Sequence, residues 1–168
     1  PHVHTCTYPD ARMPLPFLEL SDHELFPSLN FVVVGWLLLV FFPRWKPTFT
    51  ITLLMAVVYA AMYLLLVVHL FAFGDAKLPE GAGFNTFEEV LKLFSFSPAV
   101  FAGWVHYISF DLFVGRYIVM DSQERGIPHL AIVWIVALSL FVAPIGLTLY
   151  FVVRTVWGLC FGVKTKSD

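Results

Sequence analysis

Charge is what this sequence has least of. Only 13% of its 168 residues are Asp, Glu, Lys or Arg, where a soluble chain carries about a quarter. Ten basic residues against twelve acidic ones give a net charge of −2. That balance excludes the basic surface on which nucleic-acid binding depends. Cysteine is nearly missing too. Cys6 and Cys160 stand near opposite ends, too far apart for a zinc or redox spacing, and they do not report a compartment.

Apolar residues fill the space that charge leaves. The chain is 59% hydrophobic and 17% aromatic, with a mean hydropathy of +0.80. Nearly uncharged runs cover residues 25–42, 49–73, 98–119 and 128–151, each close to the ~20 residues that a membrane-crossing helix requires. The expected fold is all-α and integral to the membrane, with four transmembrane helices plus a short interfacial helix over 84–96. Residues 1–24 read as an irregular arm, 25–161 as the transmembrane domain and 162–168 as a tail. An even number of spans places both termini on the face of the Gly74 to Ser97 loop.

Local signals sharpen these bounds. Pro27, Pro98 and Pro128 fall near the first turns of three spans, where a missing N–H costs nothing. Pro43 and Pro47 bracket a tight turn carrying Arg44, Trp45 and Lys46. Thr86 with Glu89 three residues on is a capping-box pattern, followed by apolar residues at helical spacing. Pro144 lies inside the fourth span and predicts a kink there, unless a neighbour satisfies the freed carbonyl. The basic residues are divided between the two faces, so the positive-inside rule does not choose an orientation.

Ionisable residues inside a span cost about 2.5–3.5 kcal/mol at mid-membrane on insertion scales, so each calls for a reason. The third span holds His106, Asp111 and Arg116 together with Trp104, Tyr107 and Ser109. At about 100° per residue, Asp111 shares a face with Trp104, Tyr107 and Gly115, while His106 sits about 140° away. Tyr59, Tyr107 and Ser139 are the expected hydrogen-bond partners of Asp111, placed a third of the way in from the short-loop side. His69 falls at a depth similar to His106, which permits a haem between them and equally permits simple interfacial packing. Arg116 and Arg154 fall at span ends and can snorkel. His2, His4 and Cys6 read as part of a mobile arm rather than as a metal site.

The run AGWVHYISFDLFVGRYIVMDSQERGIPH, from Ala102 to His129, resembles the signature of the abscisic-acid-deficient family of plastid and bacterial membrane proteins. GWLLLVFFPRW in the first hairpin fits as well. The resemblance spans about Leu25 to Phe151, and its specificity lies in Trp104, His106, Asp111, Gly115, Asp121, Pro128 and His129 at these spacings. It does not reach the proline-rich arm or the glycine-containing loop. Plant members are required for neoxanthin formation, so the resemblance implies xanthophyll chemistry in a plastid membrane, the thylakoid by expectation. Opening an epoxide to an allene without net redox change needs an acid and a base. Asp111 is then the candidate acid and His106 or His129 the candidate base. His69, His106, Trp104 and Tyr107 are the candidates for contact with a bound carotenoid. The alternative is a non-enzymatic pigment-binding subunit docked on photosystem or light-harvesting proteins, with histidines on chlorophyll magnesium.

Overall fold

The computed structural model describes residues 22–73 and 78–162, so the arm up to Ser21, residues 74–77 and the tail beyond Gly162 lie outside the described residues. Among the described residues all regular structure is helical. In chain order these are α1 (Asp22–Leu25), a 3-10 turn (Phe26–Phe31), α2 (Val32–Phe41), α3 (Lys46–Val68) running into a π-helical stretch (His69–Phe73), α4 (Phe87–Phe94), α5 (Ser97–Glu124) and α6 (His129–Phe161). By length and composition two helices can cross a membrane, Lys46–Phe71 and His129–Phe161, or three if the bent pair α4 and α5 counts as one span. Leu53, Leu54, Val57, Val58, Leu64 and Leu65 of α3 all face outward. Contiguous apolar surface of this kind is stable against lipid rather than water.

Two compact units are distinguished, one from the residues up to Asn30 with Ala61–Val105, the other from Phe31–Ala60 and His106 onward. In the first, Leu25, Leu29, Leu66, Leu70, Leu93, Phe101 and Val105 form the core. Its α4 is shorter than the expected 84–96 and begins as the capping pattern requires. The Thr86 side chain accepts from the Glu89 N–H at 3.3 Å, and Glu89 Oε2 accepts from the Asn85 N–H at 3.0 Å. The chain then turns by 95° into α5. Phe84, Phe87, Leu91 and Phe94 stay exposed.

The second unit begins with the expected hairpin. The turn after α2 is held by Thr48, whose buried hydroxyl donates to the Phe42 carbonyl at 2.7 Å. Two bonds then fix α5 antiparallel to α3: Ser109 Oγ to Ala56 O at 2.8 Å and Arg116 Nε to Phe49 O at 3.0 Å, seven residues apart on both helices. Gly115 permits close approach. A Cβ there would lie 2.5 Å from the Trp36 ring, which packs against the bare backbone instead. Helix α5 runs past the expected end at 119 to Glu124. It closes with Ile127 N–H on Ser122 O and Gly126 N–H on Gln123 O, Gly126 taking φ +69°.

Helix α6 departs from the expectation of one pass over 128–151. Val142 is non-helical, with φ −148° and ψ 74°, two residues before Pro144. In a straight helix Ser139 and Gly146 would stand ~10 Å apart along the axis. Here a Cβ on Gly146 would lie 3.2 Å from the Ser139 Cα. Tyr150 of the second half bonds Asp121 near the end of α5, at 2.5 Å. Tyr150 would stand ~30 Å up a straight helix from His129, far beyond side-chain reach. The second half of α6 therefore doubles back toward the short-loop end. One measurement checks this directly. In a Cys6→Ser background, exposed Cys160 should react with an impermeant maleimide from the same membrane face as an Arg44→Cys reporter. Labelling from opposite faces would mean that α6 crosses without returning.

Candidate functional site

Asp111 lies in the middle of α5, because that helix continues to Glu124, and it is 6% exposed, as its helical face predicts. Of its three expected partners the structure brings one. Tyr107, a turn earlier, hydrogen-bonds Asp111, and the Tyr107 hydroxyl also donates to the Phe141 carbonyl of α6. Phe141 stands beside the break at Val142, where the backbone no longer supplies regular helical donors. The expected kink forms, and the neighbour satisfies the Phe141 carbonyl rather than that of residue 140, which the missing N–H of Pro144 frees. Ser139 instead donates to Ile135 O at 2.8 Å, and Tyr59 is engaged with the Val32 backbone. Oδ2 of Asp111 is buried without a hydrogen-bond partner.

The other candidates do not converge on this carboxyl. His106 is exposed and stacks on Phe110 with ring centroids 4.6 Å apart, on a different face of α5. His129 holds Nε2 2.9 Å from Val40 O. Because a carbonyl only accepts, Nε2 carries the proton, and the lone pair is on Nδ1, which is buried and unpartnered. Val40 lies five residues beyond Gly35, the residue that faces Leu112 next to Asp111, or ~7.5 Å by helical rise. No direct proton transfer joins the two. Trp104, on the Asp111 azimuth, is nevertheless 47% exposed and packs near Phe26, with centroids 6.0 Å apart. Equal azimuth does not give equal burial when the two positions have different neighbours. His69 opens the π-helical stretch and belongs with Trp104 to the first unit.

Tyr107 has a mechanical role that can be measured. Tyr107→Phe should leave the Phe141 carbonyl without its donor and cost about 1–3 kcal/mol. A melting temperature indistinguishable from the parent would show that the bond does not hold the kink.

A second polar cluster sits at the short-loop end. Asp121 accepts from Tyr150 at 2.5 Å and Arg125 at 2.8 Å, and Arg154 Nε lies 3.5 Å away. Arg154 also reaches the Tyr117 hydroxyl at 3.4 Å, so it pairs within the protein in addition to any snorkelling. An open apolar groove of about 510 Å³ runs along the returning half of α6, lined by Thr148, Phe151, Val152, Thr155 and Val156.

A family model described as ABA DEFICIENT 4-like matches residues 25–150. The chain belongs to the ABA DEFICIENT 4-like family. No curated protein and no solved structure matches it. The matched span is close to that of the resemblance, and it takes in Asp111, Asp121, the kink and Tyr150. Membership in the ABA DEFICIENT 4-like family is thus carried by the helical domain. The Asp121 cluster was not assembled from the sequence, although Asp121 and Arg125 at i, i+4 and a lone Arg154 in an apolar run were its available signals.

Proposed function

We propose that this member of the ABA DEFICIENT 4-like family acts on, or holds, an epoxy-xanthophyll in a plastid membrane, with the Asp111 carboxyl as the reacting group. The observation that carries this is a buried carboxyl oxygen without a partner beside an irregular, outward-facing segment of membrane helix. Phe141 and Val142 are exposed at that break, and irregular backbone facing hydrocarbon is unfavourable unless something covers it. A rod-shaped ligand in the groove, which begins one turn beyond Pro144, would present its oxygenated end to the kink.

Burial supports a neutral Asp111, because an ionised carboxylate with one oxygen buried and unpartnered would be costly inside a membrane helix bundle. In the isomerisation the carboxyl protonates the epoxide oxygen as its C–O bond opens. The resulting carboxylate then removes a proton from the adjacent polyene carbon, and the C–H electron pair forms the allene. Acid and base are one group used twice, and the protein returns to its starting state. Tyr107 positions it.

The placement of α4 in the interface belongs to the same proposal, in which its exposed phenylalanines rest among headgroups and acyl chains. The test is conversion of violaxanthin by the purified protein in lipid, followed chromatographically. Bound carotenoid without conversion would make this a binding protein. The second reading, a chlorophyll-bearing subunit, rests on the exposed ring of His106, and chlorophyll bands lost in His106→Ala would select it.

A further inference from the structure

The Asp121 cluster does not balance its own charge. One carboxylate faces two guanidiniums, Arg125 and Arg154, which remain 28% and 26% exposed. The remaining donors, the Tyr150 and Tyr117 hydroxyls, are neutral. Arg125 takes the short contact to the carboxylate, whereas Arg154 is held at 3.5 Å from Asp121 and 3.4 Å from a neutral phenol. Such lengths leave most of the Arg154 hydrogen-bonding capacity unspent, since guanidinium to carboxylate contacts close to about 2.7–2.9 Å when they are made for each other. An unneutralised guanidinium beside an apolar helix is costly, and a second anion would relieve it.

Position indicates which anion. Asp121 lies one turn from the end of α5, and the return of α6 brings Arg154 to that level. Arg116, on the same helix, and Arg44 and Lys46, in the turn after α2, add positive charge to the same unit, against which Glu124 is the further carboxylate near the α5 terminus. This is headgroup depth for a helix that crosses the bilayer. We infer that Arg154 and Arg125 form a binding site for the anionic headgroup of a membrane lipid, whose phosphate or sulfonate oxygens take the fork of guanidinium donors that Asp121 leaves open. The lipid would pin the returning half of α6 against α5, with the acyl chains lying along its apolar outer face. The headgroup contacts, Arg154 and Arg125, take no part in the xanthophyll reading, and the test involves no turnover.

The experiment measures the melting temperature of the full chain in neutral detergent, titrated with phosphatidylglycerol, with phosphatidylcholine or with inorganic phosphate. Phosphatidylglycerol should give a saturable rise, and phosphatidylcholine and inorganic phosphate little or none. Arg154→Gln should lose most of the rise, read as the difference with and without lipid so that a change in basal stability does not enter. Arg154→Lys should keep only part of it, because the fork is gone while the charge remains. Lys92→Gln, on α4 of the other unit, should keep all of it. An equal rise in Arg154→Gln and the parent, an equal loss in Lys92→Gln, or no rise in the parent would overturn the site. A full rise with inorganic phosphate alone would overturn its assignment to lipid.

Discussion

Replacing Asp111 with Asn is expected to lower violaxanthin conversion by about 10²- to 10⁴-fold, the usual contribution of a positioned acid or base. Asparagine keeps the size and can still hydrogen-bond Tyr107, so the helices should stay packed and the melting temperature should change little. Its amide neither delivers a proton to an epoxide nor recovers one from carbon. His106→Ala and His129→Ala are expected to leave turnover within about tenfold, since one ring faces away and the other spends its proton on Val40. The comparison is made on the same preparations for rate, pigment content and stability. Full activity in Asp111→Asn would remove the carboxyl from the chemistry, and a collapse in His129→Ala with stability intact would return the role of base to that residue.

The largest structural effect is expected from Asp121→Leu. Three groups converge on that carboxylate, two from α6 and one from the turn after α5, and removing it strands two guanidiniums and a fully buried tyrosine hydroxyl. Breaking a buried pair by deleting one partner costs about 3–5 kcal/mol, and with both guanidiniums a quarter exposed the loss here should be about 2–3 kcal/mol. The returning half of α6 should loosen, so that its backbone amides exchange hydrogen faster than in the parent. Asp121→Glu should recover part of the stability by keeping the charge. A loss below about 1 kcal/mol would show that apolar packing alone returns the helix, in the range of an exposed ion pair.

The break in α6 ties these two results together. Gly146 can lie against Ser139 because it has no side chain, Pro144 withholds an N–H, and Tyr107 and Asp121 each supply a polar contact to one half of the folded helix. Losing Asp121 should therefore weaken the fold more than losing the carboxyl of Asp111, although both lie on α5.

The sequence by itself determined where the helices lie, because hydrocarbon imposes one rule on every residue it touches. Residues 49–73 had to be apolar to be stable there, and helix with its π-helical extension runs to Phe73. The cap at Thr86, the turn held beside Pro43, the burial of Asp111 and the kink near Pro144 were legible for the same reason: each follows from hydrogen-bond or solvation demands within a few residues of chain. Direction after the kink was not legible. A straight helix and one that folds back expose the same apolar residues to the same lipid, so hydropathy assigns them equal free energy. Only the tertiary contacts separate them: Gly146 on Ser139, and Tyr150 and Arg154 on Asp121. The pairing of Asp111 with Tyr107, and the turn of His106 away from both, were legible on α5 itself, whereas the failure of Tyr59, Ser139 and His129 to reach that carboxyl depends on the depth and rotation of other helices, which a linear pattern does not constrain.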